Sequence, residues 1–278
     1  MKIRKPAVAG SFYPAYKEEL SSAIREMALQ QSPSTIKDIG IITGGIIPHA
    51  GYIYSGRIAL PFFSLLATTG QKFETIIILH PNHYGAGPQI ALDTHEAWET
   101  PFGITALDLE ISSALGLKIS ADAHRFEHSA EVMLPFLQFF LTHPFKIVPI
   151  ALSRLNYLSC RMLAEKLSKV TANKKSNTLI IASSDFSHFV SPETGTKLDD
   201  KAVKRIYELD AAGFYDTVTR HDISICGYAP IMTLIEYCKI SNERTQIGLL
   251  ARGHSGLVNL EDSVVHYLSM LFYEPKKQ

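Results

Sequence analysis

The chain has 278 residues, of which 46% are hydrophobic, so it is long enough for one large domain or two small ones. Its 27 Lys and Arg residues balance 27 Asp and Glu residues without a long block of either sign, which argues against nucleic-acid or electrostatic membrane binding. Three cysteines, no signal-peptide pattern and no apolar stretch near the roughly 20 residues of a spanning helix predict a reduced, cytoplasmic protein.

Strand and helix patterns alternate along the chain. In order, they predict a helix over 17–31, a strand over 39–48, a helix over 55–69, strands over 73–80 and 89–92, helices over 105–117 and 129–142, a strand over 146–152, a helix over 154–172, a strand over 178–184, one or two helices over 197–220, a helix over 230–240, a strand over 246–251 and a strand or helix over 263–272. Pro135 is expected to kink its helix or to begin a turn. No domain linker interrupts the series. This alternation predicts a single-domain α/β layered fold over 1–278, with a mostly parallel or mixed central sheet flanked by helices.

Three strongly apolar runs end in side chains that can bind a metal or transfer a proton. The first ends at His49, the second at His80 and His83, and the third at Asp185 and His188. Apolar runs bounded by Gly, Pro or Asn indicate buried strands. If these strands lie parallel in one sheet, their polar ends share the edge where open α/β sheets bind ligands. Because a buried strand end has no structural need for imidazole, the repetition points to chemistry.

The histidines that end the first two runs are candidate metal ligands, because neutral imidazole binds iron, zinc and copper. His49 is flanked by a proline and glycines that allow a close backbone approach. Its alternative role is a hydrogen bond to a loop carbonyl, the usual fate of a single buried histidine. Pro81 places His80 and His83 in a loop, so one of them is expected to point into the site and the other to pack.

An aspartate and a cysteine extend this candidate site. Asp185 can orient His188, fix its tautomer and raise its basicity for metal binding or acid–base catalysis; capping a helix is an equally good explanation. Cys226 precedes a predicted helix, whose dipole favours the thiolate, a soft metal ligand. Cys160 and Cys238 fall within helical patterns and are expected in the core.

The polar cluster at residues 127–131 precedes an apolar helix. Ser129 is expected to cap that helix with Glu131 close behind, and the roles of Glu127 and His128 stay open. The chain lacks a glycine-rich phosphate loop, HExxH, paired CxxC and GxSxG. These absences argue against nucleotide binding, zincin chemistry and serine hydrolysis.

Five ordered motifs and the start of the chain are distinctive together. They read PHAGYIYSG at 48–56, PNH at 81–83, EHSAEVMLPFL at 127–137, SSDFSH at 183–188 and ICG at 225–227, with RKPAVAGSFYP at 4–14. Over nearly the whole chain they resemble the Memo family, whose prokaryotic members are called AmmeMemoRadiSam system protein B. That family is similar in fold to the class III extradiol dioxygenases, non-heme Fe(II) enzymes with two histidines and a glutamate as ligands and a further histidine as acid/base.

The resemblance implies a metal site with a cysteine in place of the glutamate. It assigns the metal ligands His49, His83 and Cys226, the acid/base residue His188 and the pocket carboxylate Asp185. His80 receives no ligand role. A thiolate changes the electron density at the metal and adds an oxidisable sulfur, so ring cleavage is not implied. The expected cofactor is iron(II) or copper, with zinc as a further candidate.

Three functions are compatible with these residues. The first is O₂-linked oxidation of a small molecule or modified residue at the metal. The second is a metal-free hydrolase or transferase with Cys226 as nucleophile, His188 as base and Asp185 as orienting group; it leaves His49 and His83 without roles and ranks lower. The third is a non-catalytic module for a small molecule or peptide, because the resemblance includes adaptors. No nucleic-acid or membrane partner is expected, and the late apolar strand could lie in a homo-oligomer interface.

Overall fold

A computed structural model describes residues 1–32, 34–259 and 261–276. The helices are α1 (Lys17–Leu29), α2 (Arg57–Thr68), α3 (Leu109–Leu115), α4 (Met133–Phe140), α5 (Tyr157–Thr171), α6 (Pro192–Tyr207), α7 (Ala211–Arg220) and α8 (Tyr228–Ser241). A π-helical turn at Tyr52–Gly56 leads into α2. None of the described helices combines the length and apolar character that crossing a bilayer requires.

The strands are β1 (Ile3–Arg4), β2 (Ile39–Ile47), β3 (Thr75–Pro81), β4 (Ile90–Leu92), β5 (Ala97–Thr100), β6 (Gly103–Ala106), β7 (Lys118–Ile119), β8 (Lys146–Leu152), β9 (Thr178–Ser183), β10 (His188–Val190), β11 (Gln246–His254) and β12 (Val264–Pro275). Nine of them form one sheet in the order β10-β12-β2-β9-β3-β8-β4-β7, with β11 paired to β12 outside that path. The central strands β2, β9, β3 and β8 are parallel, and the strands that flank them, β12 and β4, are antiparallel.

Helices cover both faces of this sheet, which explains why its central strands are apolar throughout. On one face, Ile46 and Ile180 pack into a core with residues of α5 and α8. On the other, Ile47 and Ile181 pack into a core with residues of α1, α2 and α4. The predicted α/β layered fold with a mixed central sheet flanked by helices is confirmed.

The predicted helix over 105–117 is wrong at its start. Gly103–Ala106 is β6, which pairs antiparallel with β5, and the helix begins only at Leu109. Asp108 caps it, since its carboxylate accepts a 3.1 Å hydrogen bond from the Ile111 N–H. The pattern of apolar residues continued across this boundary, so periodicity alone did not reveal the change from strand to helix.

Other boundaries differ in similar ways. The predicted helix over 129–142 forms only from Met133 to Phe140, and Pro135 lies in its first turn, where no backbone hydrogen bond is lost and no kink is needed. Residues 197–220 belong to two helices, α6 and α7, and 263–272 lies in strand β12. Strands β1, β5, β6, β7 and β10 were not predicted, because two to four residues carry too little periodicity.

Candidate metal centre

Three neighbouring parallel strands deliver their polar ends to one edge of the sheet, as the sequence predicted. β9 lies between β2 and β3 and is parallel to both. His49 follows the end of β2 by two residues, His83 follows the end of β3 by two, and Asp185 follows the end of β9 by two. The common direction and register of these strands therefore bring three distant parts of the chain together.

The structure brings His49, His83 and Cys226 to one point. One ligand atom from each lies within 4.8 Å of the other two, and Cys226 Sγ is 3.3 Å from His49 Nε2. Bonds of about 2.3 Å to sulfur and about 2.0 Å to nitrogen from a common ion span this distance. The donor set therefore fits a metal ion that accepts imidazole and thiolate, and the assignment of these residues as ligands stays a prediction.

Cys226 reaches this point because a glycine follows it. Gly227 packs so closely on the end of β9 that an added Cβ would lie 2.3 Å from the Ser183 carbonyl oxygen. The Gly227 N–H also donates a 3.0 Å hydrogen bond to Ser184 Oγ. Any larger residue would push the cysteine and the start of α8 away from the histidines.

A serine fixes the tautomer of His49. The Ser183 hydroxyl donates to the Ser129 carbonyl at 2.7 Å, so its oxygen accepts the 2.8 Å hydrogen bond from His49 Nδ1. His49 Nε2 therefore carries the lone pair and faces Cys226. Burial, followed by the neighbouring His83 and His128, lowers the pKa of His49 well below its usual value, which keeps this lone pair available.

Glu127 performs the same task for His83. The His83 Nδ1–H donates to Glu127 Oε1 at 2.9 Å, and the His83 backbone N–H donates to Oε2 at 2.7 Å. Burial by itself raises the pKa of Glu127, but the hydrogen bond and charge of His83, together with the charges of His80 and His128, outweigh it and the pKa is lowered. A carboxylate on one nitrogen leaves the other free for a metal, the usual arrangement of ligating histidines. The sequence had left the role of Glu127 open.

His128 is a third imidazole at the centre that the sequence did not assign. Its ring stacks on His83 with centroids 4.9 Å apart and meets His49 edge-on at 5.5 Å. His83, Glu127 and His128 also form a second group whose ligand atoms lie within 4.8 Å of one another. The position of His128 within the EHSAE motif was the only sequence signal for this contact.

Asp185 forms hydrogen bonds with two of the candidate ligands, His49 and Cys226. Its Oδ1 accepts a 2.7 Å hydrogen bond from the His49 N–H, and its own N–H donates to Cys226 Sγ at 3.3 Å. The alternative role as a helix cap is wrong, because Ser191 caps α6. Burial raises the pKa of Asp185 to about 6 against the lowering effect of the His49 hydrogen bond.

His188 lies near the centre but forms no hydrogen bond with Asp185. Its Nδ1 is 2.6 Å from the Phe186 carbonyl and 2.8 Å from the Ser224 carbonyl, so Nδ1 carries the proton and Nε2 the lone pair. The hydrogen bonds expected of a Cys226–His188–Asp185 triad are therefore not formed, because carbonyl groups occupy the nitrogen that Asp185 would have to orient.

The groups around Cys226 favour its neutral thiol over the thiolate that the sequence suggested. Burial and the adjacent Asp185 carboxylate raise the pKa of the thiol well above its usual value. The neutral thiol lies 3.3 Å from His49 Nε2 and 3.6 Å from the Asp185 carbonyl oxygen, and either atom can accept its proton. A protonated thiol is a poor nucleophile, which weakens the metal-free hydrolase further.

Two neighbouring predictions have clear outcomes. His80 lies within β3 and is fully buried, with Nδ1 hydrogen-bonded to the Pro81 carbonyl at 3.0 Å, so only His83 joins the centre.

Ser129 does not cap α4; its hydroxyl lies 2.8 Å from Glu127 Oε1. Local spacing suggested a cap, but the buried Glu127 is the stronger partner.

The start of the chain closes one side of the centre. Arg4 forms a buried 2.6 Å ion pair with Glu131 and donates to the Glu127 carbonyl at 2.8 Å. Glu131 also accepts hydrogen bonds from the Tyr13 hydroxyl and two backbone N–H groups of the same segment. Phe12 then packs on His128 with ring centroids 4.6 Å apart.

Comparisons with known proteins agree with this architecture. A family model described as Memo-like protein matches residues 4–271. A MEMO1 family protein of Pyrobaculum aerophilum is 38% identical over 98% of this chain and 100% of its own length, and one of Methanopyrus kandleri is 37% identical over 97% and 98%. An uncharacterized protein of Escherichia coli K12 shares the fold, with a TM-score of 0.56 at 12% identity over 83% of this chain and 99% of its own. This chain belongs to the Memo family.

Proposed function

We propose that this protein is a redox protein that holds one iron(II) or copper ion between His49, His83 and Cys226 and oxidises a small molecule there. The observation that carries the proposal is the approach of three ligand atoms, from three distant segments, to within 4.8 Å of one another. Two imidazoles and one sulfur suit iron and copper, and zinc is a further candidate.

The protein side of this site is prepared for binding. Hydrogen bonds from Nδ1 to Ser183 and Glu127 hold His49 and His83 in the tautomer whose Nε2 is unprotonated. Cys226 is the exception, since burial keeps its thiol protonated. Loading the site therefore releases about one proton per ion.

Asp185 and His188 are the groups that could hold or move a proton beside the ion. The pKa of Asp185, raised by burial to about 6, allows its carboxyl group to exchange a proton near neutrality. Two carbonyl groups hold the Nδ1–H of His188, so the neutral ring carries its lone pair on Nε2. A bound iron or copper ion would supply the electron transfer and open positions for O₂ and substrate.

The test is metal analysis of protein purified without an affinity tag and reloaded separately with iron(II), copper(I) and zinc. We expect about one ion per chain and loss of binding in His49→Ala and Cys226→Ala. His221→Ala and Cys160→Ala are matched controls, because His221 is exposed and Cys160 is buried in α5 away from the site. Sub-stoichiometric metal that His49→Ala leaves unchanged would overturn the metal site.

Oxygen uptake then separates oxidation from binding alone. Loaded protein is mixed with a panel of phenols and thiols while dissolved oxygen is recorded. Consumption that depends on the metal and disappears in Cys226→Ala supports the redox role. Full metal occupancy without oxygen consumption across the panel contradicts it.

A further inference from the structure

Asp185 lies in the loop between β9 and β10, His188 is the first residue of β10, and a carboxylate of α6 forms hydrogen bonds with the residue just before His188. Asp199 is fully buried. Its Oδ1 accepts hydrogen bonds from the Ser187 backbone N–H at 3.1 Å and from the Ser187 hydroxyl at 2.6 Å. Ser187 lies immediately before His188 and two residues after Asp185. By holding Ser187, Asp199 therefore restrains the backbone that carries both side chains.

His266 of β12 completes this arrangement. Its Nδ1 is 3.1 Å from Asp199 Oδ2, and the two side chains are 1% and 0% exposed. The His266 backbone N–H donates to the Ser187 carbonyl, and the His266 carbonyl accepts from the Phe186 N–H, both at 2.9 Å. The same residue therefore anchors the loop by its backbone and packs its ring against Asp199, although the contact between Nδ1 and Oδ2 lacks the geometry of a hydrogen bond.

The far side of His266 is closed. Its Nε2 has no hydrogen-bond partner among the described residues, and an added Cβ on Gly195 would lie only 2.3 Å from it. Helix α6 therefore packs directly against this nitrogen at Gly195.

We propose that Asp199, through its two hydrogen bonds from Ser187, is a positioning residue that sets the place of Asp185 and His188 at the centre. Two hydrogen bonds of Asp185 depend on this placement: the one its Oδ1 accepts from the His49 N–H and the one its N–H donates to Cys226 Sγ. A shift of Ser187 therefore alters the surroundings of both residues. The effect of Asp199 on the loop does not depend on whether the centre binds a metal. Only its effect on a bound metal rests on the proposed function.

The experiment compares two adjacent aspartates of α6. Asp199→Asn weakens the acceptor of both Ser187 hydrogen bonds, while Asp200→Asn affects an exposed pair with Arg252 in which the Asp200 side chain is 58% exposed. Hydrogen–deuterium exchange of the metal-free proteins is measured over residues 184–190 and, as an internal reference, over α8. We expect exchange over 184–190 to rise about tenfold in Asp199→Asn only, with α8 unchanged.

Cobalt(II) gives a second readout through its thiolate charge-transfer absorption. We expect Asp199→Asn to shift this band and to weaken cobalt binding about tenfold, the lower end of the range for groups that orient ligands. Gly195→Ala, which displaces His266 by steric contact, should change exchange and absorption in the same direction. If Asp199→Asn does not fold, Ser187→Ala removes only the hydroxyl donor and is compared with Asp200→Asn instead.

The outcomes separate the two proposals. Equal exchange over 184–190 in Asp199→Asn and Asp200→Asn overturns the positioning role. Faster exchange in Asp199→Asn, in a protein that binds no cobalt even as wild type, supports the positioning role and contradicts the metal site. Faster exchange without any change in cobalt absorption or affinity overturns the link between Ser187 and the centre.

Discussion

Glu127 and Glu131 lie four residues apart in one segment and are both buried at 1% exposure or less, yet they serve different purposes. Glu127 accepts hydrogen bonds from His83 and Ser129 at the candidate centre. Glu131 accepts from Arg4 and Tyr13 of the N-terminal segment. The carboxylate of Glu127 fixes the tautomer of a candidate ligand histidine, whereas the carboxylate of Glu131 links the N-terminal segment to the rest of the fold.

The largest expected effect concerns Glu131. Arg4→Met leaves the Glu131 carboxylate buried without its cation, and breaking such a pair costs about 3–5 kcal/mol of unfolding free energy. Urea unfolding of the metal-free protein measures this loss. Arg161→Met is the control, because its pair with Glu165 is about half exposed on both sides and solvent-exposed pairs add little to stability. Equal unfolding midpoints for the two variants would contradict the structural role of Glu131.

The next effect concerns Glu127. Glu127→Gln removes the negative charge that holds the His83 Nδ1–H, so metal affinity should fall by about 10–100-fold. Competition with a chelator measures this change in the cobalt(II) or zinc(II) protein. Glu131→Gln is the matched control. It should lower the unfolding free energy, while the metal affinity stays within about threefold of the wild type. If the two substitutions weaken metal binding equally, the proposed division between these glutamates is wrong.

The smallest effect is a dependence of the unfolding free energy on pH that arises from His124, a buried histidine just before Glu127 in the sequence. Burial lowers the pKa of His124 to about 4, below the value of about 6.5 in the unfolded chain. The unfolded chain therefore takes up the proton first, and stability is lost as the pH falls from about 6.5 towards about 4. His124→Gln keeps a donor for the Ala91 carbonyl and should reduce this loss by about 1 kcal/mol near pH 5.5.

Urea unfolding across this pH range checks the slope, with the exposed His221→Gln as control. The slope of His221→Gln should match that of the wild type. A slope for His124→Gln that is as steep as in the wild type would show that His124 is not the group responsible.

The sequence predicted much of the frame because its strongest patterns are local. Apolar runs identified β2, β3 and β9, and their parallel arrangement followed from the alternation with helices. The same reasoning placed His49 and His83 at one sheet edge. It failed between 103 and 108, where a strand and a helix follow each other within a continuous apolar pattern.

The residues around the centre were harder to predict because their partners are distant along the chain. Glu127 contacts a histidine 44 positions away, and Glu131 contacts an arginine 127 positions away. Ser129 looked like a helix cap from spacing alone. Asp199 and His266 lie outside every motif that the sequence emphasised, and only the packing of α6 on β12 reveals them.

X-ray absorption at the metal edge of the reconstituted protein tests the central claim most directly. We predict one sulfur at about 2.3 Å and two imidazole nitrogens at about 2.0–2.1 Å, with loss of the sulfur signal in Cys226→Ser. A spectrum without sulfur, or one that Cys226→Ser leaves unchanged, would contradict a centre built from His49, His83 and Cys226.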